Sequence, residues 1–454
     1  MKHKIIIIYS VLLGMISCNK YLDKKSNNSL LIPSSLTDVQ ALLDNYSDLN
    51  RLQTPCFGEA SADNYFLKPE IYNGLSLQDQ SHYTWRKYFF ATSSDWSSGY
   101  GAIYIANLSI DLLNDIERTS QNAVSWDQLK GAALFFRAYN FLNLLWDYAK
   151  AYDDDSADVD LGVALRLTSN FNVPSTRATN RECYHQVISD TKEAVMLLSV
   201  SPEIVTRPSK CAAYGLLARC YLSMRDYDNA LLYADSALQL NSNLIDLNGD
   251  EGLIAEIDGN YPFAQFNKET IFYTEMAGYD SYYYSSKSRV DTTLYASFDD
   301  NDLRKIACFY GNPDGYYQYK GAYTNSVVCF SGIAVDEMYL IRSECFVRTG
   351  QVDKGLNDLN TLLKTKYKKN TFISFEGLSQ SEALDTVLLE RRKELTMRGL
   401  RWMDIKRLNK EGADIVLKRV EDDGTYILLP NANFFALQIP DDVIDETGMP
   451  QNPL

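Results

Sequence analysis

Histidine is scarce in this chain: three in 454 residues, at His3, His82 and His185. None stands in an HExxH pattern and no CxxC pair occurs, so the ligand spacing of a zinc site is missing. The eight cysteines are scattered without close pairs, which is not a disulfide scaffold, and Cys211, Cys220 and Cys345 sit in helical patterns where they read as small buried hydrophobes. Positive charge is also short. With 44 Lys and Arg against 59 Asp and Glu the net charge is -15, and there is no basic stripe. That excludes nucleic acid, whose phosphates need a positive surface, and a polybasic membrane contact. Acidic loops exist but lack calcium-loop spacing: Asp153, Asp154, Asp155, Asp158 and Asp160 do not alternate. After Asp246, Asn248 and Asp250, Glu251 and Ile257 replace the required glycine and glutamate. No nucleophile elbow occurs, and no cofactor motif. Long apolar runs are lacking as well, since the one from Ile5 to Met15 falls short of the ~20 residues of a spanning helix.

That short run carries information of its own. Lys2, His3 and Lys4 precede it and Met15-Ile16-Ser17-Cys18 ends it, the layout of a secretory signal peptide. The end of the run resembles a bacterial lipobox, with Met15 in place of the usual leucine, which implies cleavage before Cys18 and acylation of that residue. Residues 1–17 are then removed. Residues 18–35, polar and without periodicity, read as a tether, and residues 36–454 as one domain with a loop-rich insertion around 242–332. Lipid is the only membrane anchor this predicts. A composition of 46% hydrophobic and 23% charged residues is that of an ordinary globular body.

The domain reads as mainly α. Ser125-Trp126-Asp127-Gln128 fits a capping box opening a long helix towards Tyr148, and Thr179 to Glu182 and Ser379 to Glu382 repeat the device. Two stretches share one spacing. Ala218 and Tyr221 precede a turn at Arg225 to Asp228 and then Ala230, Ala234 and Ala237; Ser343 and Phe346 precede a turn at Thr349 to Gln351 and then Gly355, Leu359 and Leu362. Small residues there let paired helices approach while the aromatic fills the groove, as in tetratricopeptide hairpins. The two hairpins are not adjacent in sequence, so a simple solenoid is not expected.

Aromatic residues crowd the loops between them and a second stretch nearer the N-terminus. Tyrosine offers a large, rigid contact surface with a polar tip, which suits a flexible polar ligand. The candidate ligand-binding residues are Asp63, Asn64, Tyr83, Trp85, Arg86 and Trp96 from the first stretch, and Tyr282, Tyr283, Tyr284, Tyr316 and Tyr317 from the second. Each has core packing as its competing role.

Glu390-Arg391-Arg392-Lys393-Glu394-Leu395 followed by Gly399-Leu400-Arg401-Trp402-Met403-Asp404 resembles the C-terminal signature of SusD/RagB-type outer-membrane nutrient-binding lipoproteins. Asp336 to Glu344, Arg207 to Ala213, Arg137-Ala138-Tyr139 and the closing Gln451-Asn452-Pro453 fit the same family in order. Arg398 stands where the family usually has an acid, and Cys211 alters an Ala-rich helix. The resemblance implies a tetratricopeptide-like helical body with a loop-rich ligand region, seated on a SusC-type TonB-dependent transporter, binding an oligosaccharide or oligopeptide without catalysis. Its location would be the outer membrane, facing outward. The signature charges read as structural: Arg391 and Arg392 pairing with acids on neighbouring elements, Trp402 plugging a layer. Two other readings stay open, a surface glycoside hydrolase, which needs two carboxylates about 5 to 10 Å apart, and a helical scaffold that binds no nutrient.

Overall fold

The computed structural model describes residues 34–88, 94–278, 283, 286–321 and 323–454. Eleven of its helices are named here: α1 (Leu36–Leu43), α2 (Asp95–Asn114), α3 (Ala123–Tyr148), α4 (Asn180–Leu197), α5 (Lys210–Met224), α6 (Tyr227–Leu240), α7 (Val335–Arg348), α8 (Val352–Lys366), α9 (Gln380–Glu394), α10 (Arg401–Asn409) and α11 (Asp441–Thr447). From α2 to α8 each packs on the next, and α9 lies against α7 and α8. The core runs through α3, buried on every side from Gly131 to Tyr148, mostly by apolar residues, with Arg137 paired to Asp190.

The local signals explain most of these elements. Thr179 and Ser379 form their capping boxes with Glu182 and Glu382. Arg225 takes a left-handed φ of 66° to turn the chain from α5 into α6, and Gly350, at φ 79°, does so between α7 and α8. Gly355 is needed for close approach, since a Cβ there would meet the Ser343 carbonyl at 2.8 Å. The Ser125 box does not form. α3 starts earlier, at Ala123, and the Gln128 side chain instead accepts from the Ser199 amide at 2.8 Å, tying α3 to the segment after α4. The two hairpins, separated in sequence by the loop-rich insertion, are neighbours in space, since α6 packs on α7.

Among the described residues, ten short strands pair in twos. β4 (Thr270–Phe272) with β8 (Ile333–Ala334) closes the base of the loop-rich insertion, and β6 (Phe309–Gly311) with β7 (Tyr317–Tyr319) forms a hairpin within it. β1 (Tyr65–Leu67) reaches across to β5 (Ser288–Val290). β2 (Leu161–Ala164) and β3 (Arg177–Thr179) lie between α3 and α4, and β9 (Leu417–Glu421) and β10 (Gly424–Leu428) follow α10.

The C-terminal signature is a buried charge lattice. Arg391 reaches Asp404 at 2.8 Å; Arg407 holds both Asp404 at 2.8 Å and Glu344 of α7 at 2.6 Å. Arg304 gathers Asp302, Glu390 and Glu394 within 2.8 Å. Arg398 pairs with Asp336 at 3.1 Å. Trp402 is 1% exposed and stacks on Phe435 at 4.6 Å. Each charge has an opposite neighbour, the condition under which such groups are tolerated in an interior.

Candidate ligand-binding face

The antiparallel pairing of β1 with β5 sets Phe66 opposite Arg289 and so joins the two aromatic-rich stretches. Strand alternation sends Tyr65 and Leu67 inward and Phe66 outward. The Phe66 ring meets Tyr316 edge-on at 5.1 Å, and Tyr316 is 39% exposed. Tyr316 sits at the tip of the β6–β7 hairpin, where Gly315 takes a φ of 83° that favours glycine. Asp314 fixes that tip. It accepts the Tyr316 amide at 3.2 Å and a salt bridge from Arg289 at 2.9 Å, and Lys68 lies 3.4 Å away. The hydrogen bond from Arg289 holds the Asp314 carboxyl below its usual value. Two aromatic edges beside a fixed acid and two cations can stack a ring and hydrogen-bond its substituents.

A family model described as "Starch-binding associating with outer membrane", of the SusD-like type, matches residues 20–222. Over that stretch the chain is similar to the SusD-like family. A SusD-like protein of Formosa agariphila is 22% identical over 423 residues, covering 78% of this chain and 79% of that one. Among solved structures, a putative sugar binding protein of Bacteroides vulgatus superposes with a TM-score of 0.75 at 23% identity, over 92% of this chain and 98% of that one. Surface glycan-binding protein A of Bacteroides uniformis gives 0.68 at 15% identity, covering 92% and 99%. No helix among the described residues is long and apolar enough to cross a membrane.

The candidate residues divide. Tyr316 lies on the face, and Tyr317 beside it turns to stack on Tyr295 at 3.5 Å. Arg86 is exposed, donates to the Tyr72 hydroxyl at 3.0 Å and lies 4.9 Å over the Tyr426 ring, which hydrogen-bonds Asp423. Four others form a support beneath the face. Tyr83 and Trp85, with Tyr65, cage the guanidinium of Arg419 at 4.3, 5.3 and 4.9 Å, and Arg419 donates to the carbonyls of Tyr65 and Ala62. The Tyr83 hydroxyl accepts the Leu67 amide, and the Trp85 indole donates to Ser61. Asn64 donates to Glu59 at 2.8 Å, and Asp63 binds Arg401 at 2.7 Å and Arg392 at 3.3 Å. Burial would raise the Asp63 carboxyl, but Arg401 overcomes it and holds it well below the carboxylate range. Trp96 packs edge-on against Tyr148 at 5.1 Å and stacks near Tyr100 at 4.7 Å, away from the β1–β5 seam. Tyr283 is buried, its hydroxyl on the Ala277 carbonyl. Tyr282, Tyr284 and Cys18 lie outside the described residues.

Sequence reasoning passed over Phe66 and Tyr426. A strand reading of Tyr65-Phe66-Leu67 would have turned Phe66 outward. It passed over Glu59 and Asp147 too: burial pushes the Glu59 carboxyl up to about 7, and raises that of Asp147 despite nearby Lys406. Glu59 is 1% exposed and takes donors from Asn64 and the Gly399 amide. The acidic loop is neutralised by cations, Asp153 by Lys410, Asp154 and Asp158 by Arg181, and Asp160 by Lys150.

Proposed function

We propose that this chain is a SusD-like surface lipoprotein, acylated at Cys18, that binds an oligosaccharide on the Phe66–Tyr316 face and delivers it to a SusC-type TonB-dependent transporter of the outer membrane. The half-exposed aromatic pair across the β1–β5 seam carries the reading, because it presents ring edges and faces beside fixed polar groups. Sugar is favoured over peptide by the similar structures of a putative sugar binding protein and a surface glycan-binding protein.

Binding without catalysis fits the acids. The raised carboxyls of Glu59 and Asp147 are the chemistry a hydrolase would use, but both are enclosed, and the signature acids are tied to arginines.

Calorimetric titration of the chain with neutral hexaoses (malto-, cello-, laminari-, xylo- and manno-) and with mixed pentapeptides tests this. A hexaose should bind intact. Binding of peptides alone would replace the sugar reading, and released reducing ends would replace it with a hydrolase. Cys18→Ala should leave affinity unchanged and move the protein from the membrane fraction to the soluble one; retention in the membrane would refute the anchor.

A further inference from the structure

A cleft of about 490 Å3 opens between α2, the segment after β2, and α11. It shares none of its lining with the Phe66–Tyr316 face. One wall is a stacked pair, Tyr104 and Phe171, with centroids 4.8 Å apart and planes at 26°. The back is Trp96 against Tyr100. Phe171 is 77% exposed, a conspicuous position for a phenyl ring with no strand or helix to hold it there.

The loop that carries Phe171 is nonetheless fixed. Asn107 of α2 donates to the Arg166 carbonyl at 2.8 Å, and Asp111 accepts the Ser169 amide at 2.9 Å and its hydroxyl at 2.7 Å. Arg166 folds back and donates to the carbonyls of Asn170 and Val173. On the back wall the Tyr100 hydroxyl donates to the Ala164 carbonyl at 2.7 Å, locking that ring. An exposed aromatic pair on a braced loop is preorganised, so a ligand stacking on it does not have to order the protein.

The polar lining limits what that ligand is. Among the described residues Arg166 is the one cation lining the cleft, and its guanidinium is engaged with its own loop. Glu446 of α11 adds a carboxylate at the rim. An anion would find no available positive partner there and a negative neighbour. A ring with apolar faces and hydroxyl edges would find aromatic planes and hydrogen-bond acceptors, in a volume typical of small-ligand sites.

We infer that this cleft is a second binding site for an uncharged sugar ring, separate from the Phe66–Tyr316 face. The inference rests on the sugar-binding reading of the chain and adds a second point of attachment to it. Two sites on one chain raise the avidity for a long glycan beyond either alone.

The test is calorimetric titration of the detergent-solubilised full-length chain with the same five neutral hexaoses, for wild type, Phe171→Ala and Tyr316→Ala. Phe171 is exposed and its loop is held by Asn107 and Asp111, so the fold should survive; an unchanged melting temperature checks this. Phe171→Ala should remove one of two binding events, or lower the affinity at least about tenfold where one hexaose engages both sites. Tyr316→Ala should leave the cleft's event in place. If a hexaose binds, Tyr316→Ala abolishes it and Phe171→Ala titrates as wild type, the second site is overturned and the first stands. If no hexaose binds any of the three proteins, the sugar reading falls and the cleft proposal with it.

Discussion

The two faces of β1 use neighbouring aromatic residues for opposite ends. Inward, Tyr65 joins Tyr83 and Trp85 around the Arg419 guanidinium, whose donors satisfy two carbonyls of the β1 region. Outward, one residue along, the half-buried Phe66 meets the exposed Tyr316. Aromatic and charged residues occur on both sides. Enclosure separates the roles: a cation among rings away from water is a brace, whereas rings beside surface charges remain available to a ligand.

Breaking the inner face should have the largest effect. Arg419→Ala leaves buried carbonyls without a donor and empties the cage, and should cost about 3 kcal/mol of stability, read as a lower denaturant midpoint. A cost under about 0.5 kcal/mol, the range of ordinary surface changes, would place the brace elsewhere. Acidity tests the same layer more gently. Glu59 titrates near 7 in the fold because of burial, against an ordinary value of 4.5, so the native state holds a proton that the unfolded chain has already released. The stability from this site is therefore complete below about 4.5 and lost as the pH rises through about 7. Glu59→Gln, neutral throughout, should flatten that part of the profile, and a profile parallel to wild type would show that Glu59 titrates normally. The outer face should matter least to stability: Tyr316→Ala should change it by under about 0.5 kcal/mol while weakening hexaose binding about tenfold. A large loss of stability would make Tyr316 part of the support instead.

What the sequence disclosed follows the same division. The hairpins around Arg225 and Gly350 and the Thr179 and Ser379 boxes are written within a few residues, so periodicity and spacing reveal them. Arg391, Arg392 and Trp402 were readable as structural because they lie in one short charged segment, whereas Glu344, held by Arg407, and Asp63, held by Arg392, come from elsewhere in the chain. Ser125 failed as a cap because Gln128 is recruited by the Ser199 amide, a partner that only tertiary packing supplies. The proposed ligand face was readable as two aromatic stretches and in Tyr316, but not in Phe66. Which ring faces outward depends on the β1–β5 register and on Arg419 arriving from a strand far along the chain. The stacking of α6 on α7 was hidden for the same reason, since the insertion leaves no local trace of where the chain returns.

The central claim, that the open side of β1 holds ligand while the enclosed side holds the fold, is met most directly by Phe66→Ala combined with Tyr316→Ala. Calorimetric titration with the hexaose that binds wild type, alongside a thermal melt, should find the cleft's binding event alone, the face's event abolished and the melting temperature essentially unmoved. A double variant that melts normally and still binds hexaose as wild type does would contradict the account.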